Sequence, residues 1–351
     1  MLKKRIKIVK KQRLELIKSM SLSQKTKNFL SGFLRIALSI GLLTYLFRII
    51  DVQKTLNIIK DANFFYLAWS LAALFILYFL TLLRWHIVIK ALGLSIPFKS
   101  VARCFSIGAF FNLFLPTSTG GDVVKTIGLF KDTDKKTTVI ASVLLDRIFG
   151  FVAIVLVASV SFAFGYKLVY DPFLLVAILS LAFFAGIGIL FLFHERLYSF
   201  ACRIFNKLPK IQEKLMKLHY AIVLIKSKHK AIFTVVFISC IVQGILALTF
   251  YLTARGLHQE ILFWHCLVFV PLVCIAAAFP SLGGLGTRDL GAVFLFSKIG
   301  IDAGTAASMS LLNFFFMVII GLTGALFYVA TLHPRWVQCP QQASSADTKE
   351  S

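Results

Sequence analysis

Apolar runs long enough to cross a bilayer recur along the whole chain, and they fix the fold class before any other feature is considered. Nearly uncharged stretches lie at about 29–50, 64–83, 137–164, 173–193, 231–253 and 304–331. A helix needs about 20 such residues to cross a hydrocarbon core of ~30 Å, where each backbone N–H and C=O must be satisfied within the segment. Hydrophobic residues make up 58% of the 351, with 36 Phe, far more apolar surface than a soluble domain of this length can bury. The expectation is an all-α integral membrane protein of six to eight transmembrane helices, forming one membrane domain over 29–331.

The bases then assign the sides. Lys and Arg number 38 against 15 acids, a formal charge of +23. In a soluble protein that excess would suggest nucleic acid. Here it is confined to segments between spans, as the positive-inside rule requires, so no nucleic-acid partner is expected. Residues 1–28 hold ten Lys/Arg and a single acid, Glu15. The linker 194–230 is also strongly basic, and Leu197, Ala201, Ile204 and Leu208, then Ile211, Leu215, Leu218 and Ile222, repeat at helical spacing. Both segments are expected in the cytoplasm, the linker as an amphipathic helix pair at the membrane face. The N-terminus is then cytoplasmic. The connectors 51–63 and 254–261 fall outside, Arg84-Trp85-His86 reads as an interfacial end of the second span, and 332–351 forms a polar tail.

Two apolar segments are broken in the same way. The first reads P-T-S-T-G-G-D-V-V-K from Pro116 to Lys125, followed by S-V-L-L-D-R ending at Asp146 and Arg147. The second reads P-S-L-G-G-L-G-T-R-D from Pro280 to Asp289, followed by S-L-L-N ending at Asn313. Pro116 aligns with Pro280 at an offset of 164 residues, and Leu144-Leu145-Asp146 with Leu311-Leu312-Asn313 at 167. Two related halves follow, about 64–164 and 231–331, and loop charge gives them opposite orientation: an inverted repeat. The apolar pieces flanking the breaks, 101–115 and 262–279, are short for spans. Two arrangements satisfy the hydropathy: two re-entrant helical hairpins, or two further full spans, making eight.

A charge at the bilayer centre costs about 2.5–3.5 kcal/mol on insertion scales, so charges there need partners or a polar cavity. Lys125, Asp146, Arg147, Arg288 and Asp289 lie in or beside apolar segments and gather at the breaks. Asp122 and Lys125 are three apart and can pair on a helix. Asp146 and Arg147 are adjacent, hence about 100° apart, and seek different partners. Helices that begin at Gly120 or Gly121 and at Gly286 bring unpaired N–H groups and a positive dipole end, which favour an anion. The candidate binding set is Pro116, Ser118, Gly120, Gly121, Asp122, Lys125, Asp146, Arg147, Pro280, Gly283, Gly284, Gly286, Arg288 and Asp289. Lys125, Arg147 and Arg288 would meet a lipid phosphate, with Asp146 holding Arg147 or Arg288 when no lipid is bound. No His, Cys or acid spacing suggests a metal site, and no nucleotide loop or catalytic triad is legible, so no cofactor, metal or catalytic residue is expected. The six Cys show no paired spacing and read as small core residues.

The elements P-x-S-x-G-G-D, S-V-L-L-D-R and P-S-x-G-G-L-G-x-R-D resemble the lysylphosphatidylglycerol synthase transmembrane-region family, also called flippase-like, over roughly residues 30–330. Lys125 stands where the family often has Arg, and Asp289 where it often has Glu; both keep the charge. The resemblance implies an inner-membrane domain that moves or modifies lipids. In its best-known members this region is followed by further spans and a soluble aminoacyl-transferase domain, of which nothing is legible here, so aminoacyl transfer by this chain alone is not expected. The expected function is binding and translocation of a lipid with an anionic head group, such as an aminoacylated phospholipid or a polyprenyl-phosphate-linked sugar. The alternatives are a lipid-modifying transferase of the phosphatidylglycerol lysyltransferase type, or an accessory subunit presenting lipid to a separate synthase or glycosyltransferase.

Overall fold

A computed structural model of the chain describes residues 58–114, 120–165, 172–193, 216, 220–277 and 286–331. The expected first span, most of the basic linker, the C-terminal tail and the break residues Pro116, Ser118, Pro280, Gly283 and Gly284 lie outside the described residues. What is described is helical: α1 (Phe64–Ala91), α2 (Phe98–Phe114), α3 (Gly120–Leu129), α4 (Lys136–Gly165), α5 (Pro172–Phe193), α6 (His229–Gly256), α7 (Phe263–Ala277), α8 (Thr287–Ser297) and α9 (Ala303–Thr331). Four of these, α1, α4, α6 and α9, are long and apolar enough to cross a membrane. The chain is therefore an all-α, multi-pass membrane protein.

Long, short, short, long is the order of α1–α4 and again of α6–α9, and the connectors 92–97 and 257–262 are equal in length. α1 and α6 form the central antiparallel pair. Ser70 Oγ lies 3.0 Å from the Thr249 carbonyl and 3.1 Å from Thr253 Oγ1, while Arg84, further along α1, meets Ser239, earlier on α6. Packing around this pair is reciprocal: α2 lies on α9, and α7 lies on α4. Each half thus places the first arm of its hairpin on the last helix of the other half. Antiparallel α1 and α6 with reciprocal packing make the repeat an inverted one, with its pseudo-twofold axis across the helices.

Small residues bring the helices into contact. On α9, a Cβ at Gly324 would stand 2.1 Å from the Ser106 carbonyl oxygen, and one at Gly321 2.4 Å from Leu113 Cδ1. Within the first hairpin a Cβ at Gly121 would stand 2.0 Å from the Gly108 oxygen, so α2 and α3 lie backbone to backbone. α3 has 10 residues and α8 has 11. At 1.5 Å per residue each covers about 15 Å, half of a hydrocarbon core, and neither can cross one.

The two extramembrane connectors expected on one side are indeed together. Asn63 N donates to the Gly256 carbonyl at 2.8 Å, and His258 Nε2 lies 3.0 Å from the Asp61 carbonyl. At the other end of the α1–α6 pair, the helical stretch 220–226 buries Ile222 and Ile225 with Val88 of α1 and Leu145 of α4. That part of the amphipathic linker packs on protein rather than on lipid. Of the six cysteines, Cys104, Cys240, Cys266 and Cys274 are described and free, two of them buried.

Candidate functional site

The first hairpin and the helices beside it carry an alternating chain of charges. Arg84 Nε donates to Asp146 Oδ1 at 2.8 Å; Lys125 Nζ lies 4.0 Å from Asp146 Oδ2 and 2.9 Å from Asp122 Oδ1; Arg147 Nε donates to Asp122 Oδ2. Three helices contribute: α1 gives Arg84, α3 gives Asp122 and Lys125, α4 gives Asp146 and Arg147. Among the described residues, three bases meet two acids along this ladder. Side-chain exposure grows along it, from 9% at Arg84 and 7% at Asp146 and Lys125 to 16% at Asp122 and 42% at Arg147. The ladder is therefore most exposed at Arg147.

Local structure explains each placement. Asp122 and Lys125 share one face of α3 because they are three apart. Asp146 and Arg147 diverge on α4, so the acid turns inward to α1 and the base outward to α3. The Lys125 ammonium also stands over the Trp85 ring at 4.7 Å and the Phe105 ring at 5.7 Å, an aromatic setting that favours a cation. Trp85 is fixed in turn by donating from Nε1 to Ser142 Oγ at 3.3 Å. Asp146 lies ten residues into α4, about 15 Å of helix rise from Lys136.

Against the outer face of this ladder runs a groove of about 380 Å³ between α3 and α4. Asp122 and Arg147 stand at its head, and Val123, Ile127 and Phe130 of α3 with Val143 and Leu144 of α4 line it.

The second half answers with a closed cluster. Arg288 Nη2 pairs with Asp289 Oδ1 at 3.0 Å, Arg288 Nε donates to Ser310 Oγ at 3.0 Å, and Nη2 donates to the Ser310 carbonyl at 3.1 Å. Ser310 Oγ donates to Asp289 Oδ1 at 2.5 Å, and the guanidinium lies 5.2 Å from the Phe314 ring. Asp289 is wholly buried and Arg288 is 7% exposed. At the position corresponding to Asp146, Asn313 donates from Nδ2 to Thr253 Oγ1 at 3.2 Å.

Three expectations are corrected. Asp146 holds Arg84 and approaches Lys125; it holds neither Arg147, which turns to Asp122, nor Arg288, which belongs to the other half. The helix starts do not present free backbone donors at Gly121 and Gly286. Gly121 N donates to Asn112 Oδ1 at 2.8 Å, and Gly286 N, in a residue at φ +85°, donates to Asp289 Oδ2 at 2.9 Å. An N–H left bare in an apolar layer is costly, and the chain caps these itself. Finally, Arg84-Trp85-His86 is not an interfacial end: α1 continues to Ala91, and all three residues are buried. Arg84 was the site residue that sequence reasoning missed. Its partner lies 62 residues away, and only the unpaired acid Asp146 in an apolar run hinted that a buried base was required.

Gly120, Gly121, Asp122, Lys125, Asp146 and Arg147 thus come together around the first hairpin, while Gly286, Arg288 and Asp289 gather in the second half. Among the described residues no group of three or more His, Cys, Asp or Glu side chains could hold a metal ion.

A helical, multi-pass domain with a charged cluster beside each of two short-helix hairpins defines a class of polytopic membrane domains. The sequence of the lysylphosphatidylglycerol synthase TM region matches residues 32–324, and the chain belongs to that family. It is also similar to a UPF0104 membrane protein of Pyrococcus horikoshii, with 24% identity over 310 residues covering 80% of this chain and 91% of the relative.

Proposed function

We propose that this protein binds a membrane lipid through its anionic head group and carries that head group across the inner membrane. The observation behind this reading is the charged ladder of the first half. It gathers three bases and two acids between α1, α3 and α4 and is most exposed at Arg147, beside an apolar groove. A phosphate offers a guanidinium a charge-assisted, bidentate partner. In this reading both hairpins are re-entrant and enter from opposite sides of the membrane. Lys125 and Arg147 meet the phosphate. Asp122 and Asp146 hold them in its absence, and Arg84 neutralises Asp146. Arg288 and Asp289 keep α8 seated on α9 while the head group passes. Family membership supports a role in lipid metabolism. A phosphate-bearing lipid, aminoacylated or polyprenyl-linked, fits the charge.

Mass spectrometry of lipids that co-purify with the detergent-solubilised protein tests this directly. Anionic phospholipids should be retained above their share of the membrane, and Arg147→Gln should bring them down to that share. Retention unaffected by Arg147→Gln would remove the ladder from the binding site.

A further inference from the structure

We infer that the cavity between the end of α1 and the start of α6 holds a membrane lipid with two phosphate groups, at a site separate from the ladder and independent of the proposed translocation.

The cavity has a volume of about 800 Å³. Sites that hold a whole small molecule run to about 300–1,000 Å³, so this one is sized for a head group rather than for a lone ion. One wall is Lys90 to Gly93 at the end of α1; the other is Leu224 with Ser227 to Ala231 at the start of α6. Packing fixes these walls: Ile222 and Ile225, on either side of Leu224, are buried with Val88 of α1 and Val235 of α6. Bases stand on both walls, Lys90 on one and Lys228, His229 and Lys230 on the other. Among the described residues no acid lines the cavity, and none of these four side chains is in an ion pair. The backbone adds the same preference. At the end of α1 the carbonyls of Val88, Ile89 and Lys90 are taken by Leu92 N, Leu94 N and Gly93 N at 3.1, 3.3 and 3.0 Å. At the start of α6 the N-cap Lys228 makes no side-chain cap hydrogen bond, and the positive end of a 28-residue helix favours an anion there. Bases from two separate helices suit two phosphates better than one. Leu92 and Leu224 supply an apolar part for the glycerol backbone and first methylenes. α1 and α6 are each long enough to cross a membrane and run antiparallel, so the cavity lies where both spans end. A basic pocket between the ends of membrane helices is a setting that recruits lipids with several phosphates. Lysines that only snorkelled from span ends would spread into the water around each helix, not line one cavity from two.

The melting temperature of the full chain in detergent, with lipid added, tests this. Cardiolipin should raise it by several degrees, and phosphatidylglycerol at equal phosphate should raise it less than half as far. Inorganic pyrophosphate, with two phosphates and no lipid body, should leave it unchanged. Lys90, Lys228 and Lys230 are exposed, so changing all three to Gln should preserve melting without lipid and remove most of the cardiolipin shift. Lys7→Gln, Lys10→Gln and Lys11→Gln together remove the same charge from the N-terminal segment and should keep the shift. Arg147→Gln should keep it too, which separates this site from the ladder. Equal shifts with cardiolipin and phosphatidylglycerol, or a full shift with pyrophosphate, overturn the site. So does an undiminished cardiolipin shift in the cavity variant, or a comparable loss in the N-terminal variant or in Arg147→Gln.

Discussion

The two halves share a scaffold and differ in what their buried polar groups are for. In the first half, Asp146 on α4 takes Arg84 from α1 as partner; in the second, Asn313 on α9 takes Thr253 from α6. One place in the repeat holds an ion pair, the other a neutral hydrogen bond. The hairpins diverge in the same sense. In the second, one base and one acid close on each other and on Ser310, and both are buried. In the first, the acids Asp122 and Asp146 each serve two bases, and the last base, Arg147, is the most exposed member. The lesson is that a buried charge in a membrane domain is not by itself a site. What separates a lock from a site is whether the charges cancel and whether the end of the chain is reachable.

The comparison is broken most severely by opening the lock. Arg288→Gln strands Asp289 in the core, and breaking a buried pair in this way costs about 3–5 kcal/mol. Yield and thermal stability in detergent should fall sharply, and any folded fraction should still bind lipid. Gly121→Ala tests the first hairpin's close seam: its Cβ would meet the Gly108 oxygen at 2.0 Å, and overpacking of this kind costs about 1–3 kcal/mol, read as a lowered melting temperature. Arg84→Gln should cost less than Arg288→Gln, below about 3 kcal/mol, because Lys125 stands 4.0 Å from the stranded Asp146 and can close on it. Equal losses in the two variants would show that the ladder does not share charge. Arg147→Gln should change stability least, within about 0.5 kcal/mol, since a pair with an exposed partner contributes little in the folded state.

Much of the fold was legible because hydropathy and loop charge act over long stretches. The span expected at 137–164 is α4, Lys136–Gly165, and the one expected at 231–253 is α6, His229–Gly256. The two hairpins were legible too, since proline and glycine cluster between short apolar pieces there, whereas single ones such as Pro271 in α7 and Gly324 in α9 stay within a helix. Pairing was not. The Asp122–Lys125 contact is local and follows from helical spacing, whereas Arg84 with Asp146 is a tertiary contact. A base followed by tryptophan at the end of a 20-residue apolar run carries the same signature as a snorkelling interface. The bare helix ends expected at Gly121 and Gly286 failed for a related reason. Asn112 acquires its role only through the hairpin turn, whereas Asp289 caps Gly286 from three residues on, within the first turn of α8.

The account's central claim is that the open end of the first-half ladder is where the lipid head group binds and crosses. Head-group translocation in vesicles is its most direct measure: a fluorescent anionic phospholipid in the inner leaflet becomes accessible to an impermeant external quencher only after crossing. The unaltered protein should move it, Arg147→Gln should abolish movement while melting at the same temperature, and Arg147→Lys should restore part of it by returning the charge. Full translocation by Arg147→Gln, with its stability intact, would contradict the account.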